Sequence, residues 1–138
     1  MTYASLGARM LSLIVDGAVL SAGYVWASFF VALLTPFDDR GYVSPNATFA
    51  GSVIVVVVLT GYLFIGEALG QTIGKRVCGL RVVTARDWGA PGAWRGLARL
   101  VLAIASLLPL GAGYMMILFD SERRAFHDRV TGTRVIDR

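Results

Sequence analysis

Three long apolar stretches, separated by short polar connections, organise the chain. The first covers residues 11–34, 24 residues with a single charge, Asp16. At about 1.5 Å per residue a helix of that length crosses the roughly 30 Å hydrocarbon core of a bilayer with some tilt. Trp26, Phe29 and Phe30 fall in its outer half, where an aromatic girdle is expected. It reads as a retained helix and not as a cleaved signal, being too long, containing an acid and lacking an A-x-A site. The second stretch covers residues 47–69 and is centred on the run Val53, Ile54, Val55, Val56, Val57, Val58, Leu59. In water such a run suggests a buried strand. Flanked by further apolar residues it predicts a membrane helix, because lipid forbids a lone strand with an unpaired backbone. The third stretch, residues 96–119, opens on Arg95 and Arg99 and holds Pro109, Gly111 and Gly113 in its middle. Proline removes a backbone donor and glycine weakens a helix. The stretch is either one kinked span or two short helices turning inside the membrane.

The pattern therefore predicts an all-α membrane protein of one domain, residues 1–138. It is a small helical bundle with two full transmembrane helices and a third, broken or re-entrant segment. Composition agrees. Apolar residues make up 56% of the chain and charged residues 16%, against about 45–50% and about 25% in soluble domains, and mean hydropathy is +0.65. A disordered chain is excluded, and a soluble enzyme domain disfavoured. One cysteine, Cys78, and one histidine, His127, supply neither an internal disulfide nor a structural zinc site. The formal charge is +4. Beside apolar segments such basic residues face lipid headgroups rather than nucleic acid.

Charge also sets an expected orientation. The connection 70–95 carries Lys75, Arg76, Arg81, Arg86 and Arg95 against Asp87 alone, whereas the first connection holds Asp38, Asp39 and Arg40. The positive-inside rule puts 70–95 and the N-terminus in the cytoplasm. The tail holds Arg123, Arg124, Arg129, Arg134 and Arg138, which a single third span would send outside, against the rule. A re-entrant third segment returns them. Gly79-Leu80-Arg81-Val82-Val83 and Gly132-Thr133-Arg134-Val135-Ile136 share one strand-like pattern. A small β pairing of 79–84 with 132–137 is expected, which requires a cytoplasmic C-terminus.

Candidate chemistry rests on few residues. An acid inside a membrane helix costs about 2.5–3.5 kcal/mol on insertion scales, so Asp16 is expected to face protein or water. At the helical period Arg9, Ser12, Asp16, Gly23 and Ala27 share a small or polar face, and Leu11, Val15, Ala18, Val25 and Phe29 a lipid face. Arg9 lies about two turns from Asp16, roughly 10 Å, too far for an easy pair. The partner of Asp16 is expected among Arg95, Arg99 and the polar tail. Asp16 is then either an ion or proton site or half of a buried structural pair. Glu67 reads first as a solvated helix end. Gly66, Gly70 and Gly74 recur every four residues and would form one smooth helix stripe. Lys75 after Gly74 lacks the remaining phosphate-loop residues. His127 and Asp128 lack a neighbouring nucleophile, which leaves Asp128 to pair with Arg129 or to cap the turn before Gly132. Trp88 and Trp94 flank a Gly/Pro turn at headgroup level.

Taken together, these residues resemble the RDD family of small bacterial membrane proteins, named for an arginine and two aspartates. Three blocks carry the likeness: Arg9 with Asp16; the run from Gly66 and Glu67 through Lys75 and Arg76 to Val83; and Phe126-His127-Asp128-Arg129 through Ile136. The resemblance maps the second aspartate to Asp128. It implies a multi-pass cell-membrane protein, possible transport of unknown ligands and, for some members, a link to sodium–proton exchange. The candidate functional residues are Arg9, Asp16, Glu67, Lys75, Arg99, His127 and Asp128. No cofactor, metal or enzymatic activity is expected. One reading is transport of an ion or small ligand at an intramembrane Asp/Arg site. The other is an accessory or assembly subunit of a larger membrane complex. The short chain ends suggest a homo-oligomer or other membrane subunits as partners, besides the bilayer.

Overall fold

The computed structural model describes residues 2–37, 40–41, 44–107 and 112–137. Two long helices dominate it, α1 (Leu6–Leu34) and α2 (Pro45–Leu69). Ser5 caps α1, its side chain accepting from the Ala8 N–H at 3.2 Å, and Pro45 opens α2, where a missing N–H costs nothing. The β-branched run of α2 is helical throughout. A short helix α3 (Ile73–Val77) and strand β1 (Leu80–Thr84) follow, then α4 (Gly92–Leu107), α5 (Ala112–Met115), a 3-10 turn (Met116–Leu118), α6 (Phe126–Thr131) and strand β2 (Thr133–Asp137).

The exposure pattern is inverted relative to a soluble fold. Ile14, Val25 and Val57 are 66%, 65% and 63% exposed, while Arg9 and Asp16 are each 6% exposed. Leaving such apolar side chains in water forgoes about 1.5–3 kcal/mol each. A hydrocarbon surround removes that cost, and the small, polar face of α1 turns inward as its period predicts. Both helices are long and apolar enough to cross a membrane.

A second core lies at the end of the helix pair where α1 starts and α2 stops. There β1 and β2 pair antiparallel, Val82 opposite Val135 and Thr84 opposite Thr133. This is the pairing expected from the shared pattern. Residues 2–4 run along the other edge of β2: the Ala4 N–H donates to Val135 O and the Asp137 N–H to Thr2 O, each at 3.0 Å. Ala4, Leu80, Val82 and Val135 form the buried cluster. Both chain ends and the middle connection thus sit together at what we term the sheet end.

Two glycines hold this arrangement. Gly70 ends α2 at φ +75° and stands so close to β1 that a Cβ would come 2.3 Å from Val82 O. Gly74 in α3 lies against α1, where a Cβ would come 2.2 Å from Ser12 O. The single helical stripe expected for Gly66, Gly70 and Gly74 is therefore not formed, because the left-handed Gly70 breaks the helix between them.

The third apolar stretch divides. α4 packs along α2 more extensively than any other helix pair, with Gly96 so close that a Cβ would come 2.6 Å from Ala68 N. α5 then runs back against α4, Gly113 lying beside Ser106. Pro109 and Gly111 fall outside the described residues. α6 and β2 lie at the same end of the helix pair as α3 and β1, so the third stretch leaves that end and comes back to it. In a Cys78→Ala background, Arg86→Cys and Asp137→Cys are expected to react with an impermeant thiol reagent from one side of the membrane, and Asn46→Cys from the other. Labelling of positions 46 and 137 from the same side would contradict this fold.

Candidate functional site

Five charged side chains from five elements meet at the sheet end of the helix pair. Asp128 on α6 is completely buried and sits between two guanidiniums. Arg9 of α1 donates through Nη1 to Oδ2 at 2.5 Å, and Arg99 of α4 donates through Nη1 to Oδ1 and to Thr133 Oγ1. The Ala125 N–H donates to Oδ2 at 3.0 Å, so Asp128 also caps its own helix. Arg9 Nη2 donates to the carbonyl of Arg123 at 2.6 Å. Arg123 holds that carbonyl from a left-handed backbone, φ +50°, at a cost of about 1–3 kcal/mol. Arg99 reaches back through Nε to Glu67 Oε2 at 2.9 Å, and Lys75 Nζ donates to Glu67 Oε1. The chain of contacts runs Arg9, Asp128, Arg99, Glu67, Lys75.

Electrostatics follows from that packing. Burial pushes the Asp128 carboxyl up, but Arg99 and Arg9 outweigh it and hold the group well below the usual carboxylate range. Burial lowers the Lys75 ammonium, with Glu67 opposing. His127 stands beside Asp128, Nε2 3.5 Å from Oδ1, and its ring meets Tyr114 edge-on at 5.1 Å. Burial lowers its pKa to about 4, against partial opposition from Asp128, so the ring is neutral at physiological pH. A cavity of about 50 Å³ opens beside the network, lined by Arg9, Glu67, Lys75, Arg99, Tyr114 and His127 among others. Two buried nitrogens of these residues, Arg9 Nε and His127 Nδ1, have no hydrogen-bond partner among the described residues.

Asp16 makes a separate site. Its Oδ1 accepts from Tyr62 Oη and the Gly74 N–H, each at 2.8 Å, and its Oδ2 from Thr72 Oγ1 at 2.5 Å. Thr72 caps α3, so an acid of α1 holds the first turn of α3 from across the contact. All of these donors are neutral.

Four expectations are thereby corrected. Asp16 pairs with Tyr62, Thr72 and Gly74 instead of Arg95, Arg99 or the tail, because α3 packs directly on α1. Glu67 is no solvated helix end: α4 and α3 cover it and supply Arg99 and Lys75. Asp128 pairs with Arg9 and Arg99, whereas Arg129 bonds Asp120 at 2.9 Å. It caps the start of α6 and not the turn after it. Of the seven candidates, six converge on one network and Asp16 stands apart from it. Tyr62, Thr72 and Thr133 were missed. Only the N-cap pattern of Thr72 before α3 carried a sequence signal.

A family model described as the RDD family matches residues 3–132. No curated protein and no solved structure gives a significant match to the chain.

Asp128→Asn leaves two buried guanidiniums short of a counter-charge. It is expected to cost about 3–5 kcal/mol, read as a lowered unfolding midpoint in detergent, while Arg129→Gln stays near wild type. His127 binds its proton only near pH 4 when folded but near 6.5 when unfolded. The unfolded state therefore holds more protons between those values, and stability falls as pH drops from about 6.5 to about 4. His127→Gln should flatten the unfolding midpoint across that window. An unchanged slope would remove His127 as its source.

Proposed function

The chain belongs to the RDD family, and from that membership we propose that it is a transport-related membrane protein handling an ion or small ligand at the buried Arg9, Asp128, Arg99, Glu67 and Lys75 network. The observation that carries this reading is the cavity lined by Arg9, Lys75, Arg99 and Glu67 of the network. Buried charges of this kind are costly and mark ligand or ion pathways in membrane proteins. Asp16, held by neutral donors, is a positioning residue in this reading: it fixes α3 and through it Lys75.

The same reading makes the protein a multi-pass component of the cell membrane with its sheet end in the cytoplasm. Lys75, Arg76, Arg81, Arg86 and Arg95 lie at that end together with Arg123, Arg124, Arg129 and Arg134, and the conflict over the tail disappears once the third stretch returns.

One observation favours the assembly reading. A groove of about 410 Å³ runs between the far halves of α1 and α2, lined by Ser28, Ala32, Gly51 and Ser52 among others. Small and hydroxyl residues suit close helix docking in lipid.

Proteoliposomes separate the two. Under the transport reading, imposed proton, sodium, potassium or chloride gradients drive a flux above that of empty vesicles, which Arg99→Gln abolishes and Arg129→Gln preserves. Equal leakage from loaded and empty vesicles for all four ions, together with a stoichiometric membrane partner in mild detergent, would replace it with the assembly reading.

A further inference from the structure

The charge balance of the network identifies what the cavity takes. Among the described residues, Arg9, Lys75 and Arg99 pair with Glu67 and Asp128, three cations against two carboxylates. Every oxygen of both acids is already engaged by a donor of the network or of its backbone. Glu67 Oε1 and Oε2 accept from Lys75 and Arg99, and Asp128 Oδ1 and Oδ2 accept from Arg99, Arg9 and the Ala125 N–H. Asp16, a further buried acid, on α1, is turned to Tyr62, Thr72 and Gly74. His127 adds no negative charge in any protonation state. A metal ion or other cation would have to compete with Lys75 and Arg99 for Glu67, the carboxylate that lines the cavity, and would add to a positive surplus already held in a poorly hydrated place.

One unused donor points the same way. The Arg9 Nε–H has no acceptor among the described residues, on a side chain 8% exposed. Arg9 lines the cavity. Lys75, Arg99 and the Glu67 carboxylate they hold also face it, with the Ser12 hydroxyl, and the rest of the wall is apolar or aromatic, as at Leu13, Leu80 and Tyr114. A site of about 50 Å³ is larger than the roughly 10–15 Å³ one water needs, and far smaller than the roughly 300–1,000 Å³ of drug-sized pockets.

We propose that this cavity is a binding site for a small monovalent anion, of halide or formate size, held by the Arg9 Nε–H and the surplus positive charge of the network. The proposal rests on the reading of this network as the working site and names its ligand. It does not require that the anion be carried across the membrane.

The test measures binding without flux, so that loss of either claim is visible by itself. The full chain, purified in neutral detergent, is unfolded thermally in sodium chloride or sodium formate, with sodium gluconate making up a constant ionic strength. The expected result is a saturable rise in the unfolding midpoint with chloride or formate, because a ligand that binds only the folded state stabilises it by mass action. Arg9→Lys keeps the charge and removes the Nε donor, and Lys75→Met removes the surplus charge; each should lose the saturable response. Arg129→Gln should retain it. A wild-type midpoint that depends on ionic strength alone would overturn the proposal, and would mean that Lys75 balances the network by giving up its proton. A shift caused by phosphatidylglycerol but by neither chloride nor formate would overturn it in favour of a lipid headgroup. So would a saturable chloride response persisting in both the Arg9 and Lys75 variants.

Discussion

The fold depends on one carboxylate. Asp128 has no contact with water, and its two oxygens are divided between Arg9 on the first membrane helix and Arg99 on the helix packed along the second. Neither guanidinium is tolerable there alone. An unpaired buried charge costs several kcal/mol, whereas a charge between two partners of opposite sign with its lone pairs filled is retained. The tail must therefore return to the sheet end, because only there does α6 deliver the acid that both arginines require. The β2 strand follows directly, and Thr133 at its start gives Arg99 a further acceptor.

Two cores of opposite solvent logic meet at this network. On the helix pair, apolar side chains face outward and the small or polar stripe of α1 faces in. At the sheet end the order reverses, with Ala4, Leu80, Val82 and Val135 packed inside. The charged network occupies the junction between them. There the polar stripe of α1 ends against β-strands that are apolar on the face they share with it. Outside this junction the arginines behave as ordinary surface groups: Arg124 and Arg129 pair with Asp120, and Arg134 with Glu122.

How much of this the sequence disclosed depended on the range of the interaction. The two membrane helices were legible because periodicity and hydropathy are local, and so was the face of α1 carrying Arg9, Ser12 and Asp16. The pairing of β1 with β2 was legible because both strands repeat one pattern, although 48 or more residues separate them. The partners of the charges were not. Nothing along the chain distinguishes Arg99 from Arg95 as a network member, yet α4 turns Arg99 inward and leaves Arg95 exposed. Glu67 looked like a helix end because its covering partners come from 8 and 32 residues away. Tyr62 and Thr72 escaped notice because neutral donors to an acid have no charge pattern to betray them.

The two aspartates, similar in burial, differ in what surrounds them, and the difference assigns their work. Asp128 is met by two cations, so its charge is fixed. Asp16 is met by two hydroxyls and one backbone N–H, which orient a carboxylate without neutralising it. Through Gly74 and Thr72 that orientation passes to α3, and α3 carries Lys75 to Glu67. The polar contacts then close on themselves: Asp16 to α3, Lys75 to Glu67, Glu67 to Arg99, Arg99 to Asp128, and Asp128 to Arg9, two turns before Asp16 on the same helix. A closed ring has no end at which one side chain moves alone. A change of charge in the cavity therefore bears on α1 through two arms, the cationic one at Arg9 and the neutral one at Asp16, and on α2, α3, α4 and α6, which carry the ring's other members.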